Sequence, residues 1–172
     1  MNKAFVRETG NDDALSPLPE MPIGVKNYIT PSGYRRLQDE LQALQGARDA
    51  TSDQTTEDRE RDQRIQYLLS RLETAEVVDP AVHASGERVL FGATVSYMHE
   101  SGEQQTVTIV GLDEIDPAIG HISWLSPVAK ALLNKEQGDS VMLDTPAGQE
   151  ELTIVEISYP EDRTESKKPV SI

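Results

Sequence analysis

Carboxylates are the side chains of this sequence best suited to chemistry, and they are concentrated in one stretch. Between residues 49 and 62 there are six acids and two arginines. Hard cations such as Mg²⁺ take oxygen ligands, so such a stretch could help to hold a metal ion. The candidates are Asp53, Glu57 and Asp58, of which Asp53 and Glu57 have a spacing that would let them share an ion. The alternative is a solvated acidic face with no ligand.

Other kinds of catalytic or metal site find no support in the sequence. No two of His83, His99 and His121 have the spacing of a metal-ligand pair, and the chain has no cysteine. A serine elbow, a phosphate-binding loop and a paired-histidine motif are also missing from the sequence. We therefore expect no cofactor, no bound metal and no independent catalytic activity.

Charge and hydropathy restrict the partners. The formal net charge of −14 argues against direct binding to nucleic acid, because neutralising phosphates requires a basic surface. No apolar run approaches the roughly 18 residues of a membrane span, and residues 1–8 contain no apolar core of a signal peptide. We expect a monomeric cytoplasmic protein that binds neither membranes nor, by itself, nucleic acid.

The acidic run lies within a predicted helical hairpin, residues 30–79. Thr30 and Pro31 form an N-cap followed by proline at the first helical position, and Thr55 or Thr56 caps a second helix. Apolar residues recur at spacings of three and four, as in a coiled-coil seam. We expect the helices to pair antiparallel, with the acidic run at the tip. The seam residues are Tyr34, Leu37, Leu41 and Leu44, then Ile65, Leu68 or Leu69, and Leu72.

A second predicted domain, residues 86–159, has the period of two that is typical of strands. The predicted strands are 89–98, 105–112, 121–124, 140–144 and 151–159, with one helix at 127–135. This pattern predicts an α+β fold with a small, strongly bent antiparallel sheet. We expect the hairpin and this domain to share few contacts.

The two ends of the chain lack sustained periodicity. Residues 1–29 contain three prolines and two glycines and predict a disordered leader. Residues 160–172 are charged and rich in serine and lysine, which predicts a flexible tail.

One segment, residues 126–139, has a distinctive order of caps. Ser126 is a good N-cap, Pro127 follows it at the first helical position, and Gly138 could end the helix in a left-handed conformation. Taken alone, the segment is a well-capped connecting helix. Asp113 and Glu114 follow a predicted strand and could pair with a basic residue of a partner, or simply form a turn.

In combination, these motifs resemble the Gre family of bacterial transcription elongation factors, GreA and GreB, and especially its GreB-like members. The resemblance covers roughly residues 26–159 and implies a coiled-coil hairpin followed by an FKBP-like domain. The segments that carry it are 28–34, 64–79, 91–95, 108–114, 126–139 and 145–148.

The resemblance implies a binding partner, bacterial RNA polymerase. In the family, the C-terminal domain binds the rim of the polymerase secondary channel and the hairpin enters it. Acids at the hairpin tip then help to hold the second catalytic Mg²⁺, so that a backtracked transcript is cut. Leu125 stands where Gre proteins often carry Asp or Asn, which favours an apolar contact. The polymerase-binding residues implied are Leu125, Ser126, Pro127, Lys130 and Ala131.

The hairpin tip departs from the family pattern. The family motif, an Asp, two intervening residues and then Glu-Asn, has no match in register within residues 51–60. The first helix has room for about 18 residues, or ~27 Å, which leaves the tip ~10 Å short of the family length. A carboxylate must lie about 2 Å from a metal to ligate it. We therefore expect a polymerase-binding regulator that cannot stimulate cleavage. The alternatives are an active GreB-type cleavage factor that uses Asp53, Glu57 or Asp58, and a prolyl isomerase-like domain.

Overall fold

The computed structural model describes residues 18–47, 55–83 and 87–159. Short 3-10 turns lie at Pro80–His83, Leu112–Glu114 and Pro117–Ile119. The mixture of helices and sheet confirms the predicted α+β class. In chain order the elements are β1 (Asn27–Ile29), α1 (Pro31–Gly46), α2 (Thr56–Thr74), β2 (Ala75–Val77), β3 (Thr94–His99), β4 (Gln104–Val110), β5 (His121–Ser123), α3 (Pro127–Leu132), β6 (Ser140–Thr145) and β7 (Gly148–Ser158).

Helices α1 and α2 pack side by side and run in opposite directions. At their base, the Asn27 side-chain amide donates to the carbonyl of Arg71 at 2.9 Å. Further along, Arg64 donates two hydrogen bonds to Glu40, at 2.6 and 2.9 Å. Residues near the end of α1 thus contact residues nearer the start of α2, as in a helical hairpin.

The contact between the two helices is apolar. Ile29, Leu37 and Leu68 are buried at its centre, and Leu68 has no exposed surface, whereas Leu69 is 42% exposed. Leu68 therefore faces α1 and Leu69 faces solvent, which decides between the two residues left open by the sequence. The residues packed around this centre are Tyr34, Leu41, Leu44, Tyr67, Leu72 and Ala75.

The predicted disordered leader is wrong for residues 27–29. They form β1, which pairs in parallel with β2 from Asn27–Ala75 to Ile29–Val77. Ile29 is 1% exposed, so the strand belongs to the hairpin core. A three-residue strand whose partner lies beyond both helices leaves no local periodic signal. Residues 18–26 of the predicted leader are described and form neither helix nor strand, whereas residues 1–17 and the predicted tail, residues 160–172, lie outside the described residues.

The second sheet has the strand order β5-β4-β3-β7-β6. Its neighbouring strands are antiparallel except for β4 and β5, which are parallel. The prediction of an entirely antiparallel sheet is therefore wrong at this edge. The connection at 111–120 carries the chain back along β4 before β5 begins, and Gly120 adopts a left-handed φ of 73° there.

Helix α3 covers one face of this sheet. Its residues Ala129 and Leu132 are fully buried in the sheet core. The helix ends at Leu132 and not at 135 as predicted. Gly138 is left-handed, with φ 90°, but lies beyond the helix end, where Asn134, with φ 65°, is the left-handed residue. The core residues from the strands and the segment before them are Val89, Ala93, Val95, Tyr97, Val107, Ile109, Val141, Leu152 and Ile154.

Among the described residues, none of the helices is long and apolar enough to cross a membrane.

Adjacent leucines on α2 provide a matched test of the helix contact. Leu68→Ala should lower the free energy of unfolding by about 2–5 kcal/mol because it leaves a cavity in a buried cluster. Leu69→Ala should change it by no more than about 0.5 kcal/mol, since that side chain already contacts water. Urea denaturation of both variants measures the difference. Equal losses would contradict the assignment of Leu68 to the contact.

His99 should make the sheet domain less stable as the pH rises. Its Nδ1 lies 2.6 Å from Glu150 Oε1, and this hydrogen bond is the main cause that raises the pKa of His99. A raised pKa means that the contribution to stability is complete below the ordinary value of about 6.5 and is lost as pH rises through the folded value. The unfolding free energy measured between pH 5 and 8, at intervals of about 0.5, should fall more steeply for the native chain than for His99→Gln or Glu150→Gln. If the unfolding free energy fell equally steeply with pH for the native chain and for both variants, the His99–Glu150 interaction would be contradicted.

Candidate functional site

The five residues that the sequence singled out for binding lie along α3 and in the two residues before it. Ser126 caps the helix by accepting from the Ala129 N–H at 3.2 Å, and Pro127 occupies the first helical turn. The side chains of Pro127 and Lys130 are exposed, whereas Leu125, Ser126 and Ala131 are partly exposed. We call these five residues the α3 surface.

Packing of α3 against the sheet core holds the α3 surface in place. Ala129 and Leu132 anchor the helix in the sheet core, and Ser123 Oγ accepts from the Leu125 N–H at 3.0 Å just before the helix. A proline ring and a single ammonium group then project from a fixed backbone. This arrangement suits contact with another protein, because little side-chain freedom is lost on binding.

The predicted metal-binding acids are not brought together among the described residues. Asp53 lies outside them, and Glu57 is exposed in the first turn of α2. No group of three or more potential ligands from His, Cys, Asp and Glu gathers in the part of the chain that the structure describes.

Asp58 is engaged in a helix cap. Its Oδ2 accepts from the Thr55 backbone N–H at 3.1 Å and from the Thr55 hydroxyl at 2.9 Å, and its Oδ1 accepts from Arg61 at 2.7 Å. The Thr55 backbone hydrogen bond, followed by the Thr55 hydroxyl and then Arg61, holds the pKa of Asp58 below its ordinary value. A metal ion at Oδ2 would therefore compete with the cap, and one at Oδ1 would compete with Arg61.

A second site, which the sequence did not reveal, joins the hairpin to the sheet domain. Glu114, 5% exposed, accepts from the Thr30 N–H at 3.1 Å, from the Thr30 hydroxyl, and from the Gly111 N–H at 2.9 Å. Thr30 is the N-cap of α1. The contacts that hairpin and sheet domain share therefore include buried hydrogen bonds at this junction.

Asp113 binds the other helix. Its Oδ2 lies 3.3 Å from Arg71 Nε, and both side chains are less than a tenth exposed. The Tyr67 hydroxyl donates to its Oδ1, and the Arg71 guanidinium lies 4.9 Å from the Tyr67 ring centroid. Burial, and then the hydrogen bond to Asp113, raise the pKa of Tyr67, so the hydroxyl stays protonated and donates. Asp113 thus pairs with Arg71 within the chain, and of the two alternatives that the sequence left open, the turn is present at Leu112–Glu114.

One sequence signal could have indicated this junction. Arg71 follows Leu68 by three residues and so lies on the same face of α2, where a charged residue needs a buried partner. An aromatic contact lies nearby: the Tyr28 ring is 5.0 Å from that of Trp124 and 5.8 Å from that of Phe91.

The fold and its two sites define a two-part α+β protein in which a helical arm is fixed to a sheet domain that presents the α3 surface. Residues 84–159 match the family model described as transcription elongation factor, GreA/GreB, C-terminal. The chain is 42% identical to transcription elongation factor GreB of Neisseria meningitidis serogroup B over 159 residues, covering 81% of this chain and 98% of that relative. The chain therefore belongs to the GreA/GreB family of transcription elongation factors.

A second relative agrees with this assignment, and one solved structure is also similar to the chain. Transcription elongation factor GreA of Desulfovibrio desulfuricans is 36% identical over 151 residues, covering 76% of this chain and 93% of the relative. The solved structure of a prokaryotic transcription elongation factor GreA/GreB from Nitrosomonas europaea is 30% identical, with a TM-score of 0.40, and the match covers 78% of this chain and 99% of that one.

The alignments also show a difference in length. For GreB, 81% of 172 residues is about 139 residues of this chain, aligned over 159 positions, so about 20 positions have no counterpart here. For GreA, 76% of 172 is about 131 residues over 151 positions, again a difference of about 20. The chain is thus shorter than both relatives within the aligned region.

The cap at Asp58 gives a test of the tip. Asp58→Ala should speed amide hydrogen exchange in the first turn of α2, because the Thr55 N–H loses its acceptor. Glu57→Ala, which removes the neighbouring acid, should leave that exchange nearly unchanged. In the native chain, protection should be present above the ordinary Asp pKa of about 3.9 and be lost as pH falls through the lowered folded value. NMR exchange rates measure it, and equal effects of the two variants would contradict the cap.

Proposed function

We propose that this protein binds bacterial RNA polymerase at the rim of the secondary channel and competes there with Gre factors that stimulate transcript cleavage. The α3 surface supplies the contact and the hairpin enters the channel. The sheet domain, which we take to be FKBP-like, carries both. Membership of the GreA/GreB family supports the link to transcription elongation, and RNA polymerase is the enzyme that carries out elongation.

The observation that carries the proposal is the short helical arm. Helix α1 has 16 residues, or a length of about 24 Å at ~1.5 Å per residue. If the roughly 20 residues that the relatives have in addition are divided between two arms, each arm loses about 10 residues, or ~15 Å. A carboxylate must come within about 2 Å of Mg²⁺ to ligate it. An acidic tip on so short an arm would not reach the catalytic metal.

The engagement of Asp58 in the cap points the same way. Both oxygens of Asp58 already accept hydrogen bonds, from Thr55 and from Arg61, so a metal ion would have to compete with these donors. Glu57 is exposed and, of the predicted tip acids that the structure describes, is the one that favours an active cleavage factor. No group of three or more potential ligands gathers around it in the described part of the chain, whereas holding a second metal requires several ligands in one place.

Prolyl isomerase activity finds less support in the geometry. A site for that reaction has to enclose a proline ring in an apolar pocket. A cavity beside the sheet domain is lined by polar and acidic residues with a single large apolar side chain, which does not suit such a ring. Its lining residues are Glu87, Glu136, Gln137, Gly138 and Ile157.

A competition assay on a backtracked transcription complex tests the proposal. The protein alone should not accelerate transcript cleavage, and it should inhibit a cleavage-stimulating Gre factor in proportion to its concentration, since the two occupy one site. Pro127→Ala and Lys130→Glu should each weaken polymerase binding by about 2 kcal/mol, or roughly thirtyfold. Lys135→Glu makes the same charge change on an exposed lysine beyond α3 and serves as the control.

Substitutions at the hairpin tip distinguish the proposed competitor from an active cleavage factor. The triple variant Asp53→Asn, Glu57→Gln, Asp58→Asn should compete nearly as well as the native chain, because the α3 surface supplies the affinity. Acceleration of cleavage by the native chain, lost in this triple variant, would overturn the proposal in favour of an active cleavage factor.

A further inference from the structure

The hairpin and the sheet domain meet so closely that two positions admit only glycine. A Cβ on Gly33 would lie 2.1 Å from Glu114 Oε1, and one on Gly111 would lie 2.2 Å from the Tyr28 carbonyl oxygen. Gly111 has φ −73°, which any residue adopts, so the close approach and not the backbone conformation requires glycine there. The approach of the hairpin base to the turn after β4 is therefore built into the backbone.

Glu114 holds helix α1. A carboxylate is an acceptor only, and here it accepts from three donors: the Thr30 N–H, the Thr30 hydroxyl and the Gly111 N–H. It lies at the N-terminus of α1, where the helix dipole favours negative charge. Charge-assisted hydrogen bonds of this kind are about twice as strong as neutral ones. The start of α1 is thereby fixed to the turn at Leu112–Glu114.

Asp113 holds helix α2 from the same turn. It pairs with Arg71 and accepts from the Tyr67 hydroxyl, and both of these partners lie on α2. Consecutive carboxylates thus bind different helices of one hairpin. One attachment would leave the hairpin free to pivot, whereas two attachments on separate helices fix its direction. The contact of Tyr28 with Trp124 gives a third point of support.

We propose that Asp113 and Glu114 form a clasp that sets the direction in which the hairpin projects from the sheet domain, which makes them positioning residues for whatever the hairpin enters. The fixed direction of the hairpin can be measured on this protein without a partner. The effect of that direction at the polymerase rests on the function proposed above. Because the α3 surface lies on the sheet domain, loosening the clasp separates binding, which remains, from the effect of the hairpin, which is lost.

A distance measurement tests the clasp without any partner. The chain has no cysteine, so Gln42→Cys on α1 and Glu151→Cys on β7, both exposed, allow two spin labels. The native chain should give one narrow distance distribution. Glu114→Ala and Asp113→Ala should broaden it. Asp116→Ala is the matched control, because Asp116 lies in the same connection but caps only the Ala118 N–H.

Two glycine substitutions keep the test decisive if removal of a carboxylate prevents folding. Gly33→Ala and Gly46→Ala both favour the α1 helix, since alanine is the better helix former. An added Cβ at Gly33 would displace Glu114, whereas at Gly46 it would meet nothing within 4 Å. Gly33→Ala should broaden the distance distribution and Gly46→Ala should not. A narrow distribution in Gly33→Ala overturns the clasp.

The polymerase assay then separates this inference from the proposed function. Gly33→Ala should bind polymerase with an affinity within about threefold of the native chain and should therefore still exclude the cleavage factor. A photo-crosslinker attached at Gln42→Cys on α1 should nevertheless crosslink to the channel less than half as efficiently in Gly33→Ala as in the otherwise native chain. A parallel loss of affinity and crosslinking would mean that the clasp supports only stability, and would overturn the positioning role. Native-like distances with no polymerase binding by the native chain would instead overturn the proposed function and leave the clasp intact.

Discussion

The interaction on which the rest of the structure depends is the buried carboxylate of Glu114. A carboxylate removed from water needs donors for its oxygens, and without them burial is strongly unfavourable. The turn after β4 supplies one donor, the Gly111 N–H, and the remaining donors belong to Thr30 at the start of α1. The sheet domain therefore cannot bury this turn without bringing the hairpin to it. The same requirement leads to the glycines at positions 33 and 111, because any side chain there would occupy the space of the carboxylate or of the neighbouring backbone.

The hairpin base is built around the same point. Strand β1 ends at Ile29, directly before Thr30, and pairs with β2, which follows α2 without a break. Both helices are thus joined at their base by backbone hydrogen bonds as well as by the apolar cluster around Leu68. A two-stranded sheet this short is only marginally stable alone, so it depends on the packing of Ile29 and on the clasp beside it. Hairpin and sheet domain support each other through this junction.

Local patterns in the sequence predicted most of the elements, because caps and periodicity act over a few residues. Thr30, Thr55 and Ser126 all cap helices, and the strands after residue 93 lie close to their predicted ranges. What the sequence did not predict depends on contacts between distant residues. β1 needs β2, β5 needs a connection that reverses the chain, and Asp113 needs Arg71 on another element. The capped helix that carries the α3 surface could be predicted because it is one continuous segment. The clasp could not, because its partners come from three separate parts of the chain.

The combination of a short arm and a fixed base restricts what the hairpin can do. An arm that delivers a metal ligand needs length and accessible oxygens at its tip, and at the described end of α2 the Asp58 oxygens accept hydrogen bonds from Thr55 and Arg61. An arm that only obstructs a channel needs neither, but it must point in the right direction, since a hairpin free to pivot would spend little time in the channel. Two buried carboxylate attachments, each to a different helix, provide that direction. The described contacts thus fix the direction of the hairpin, as the proposed role at the channel requires.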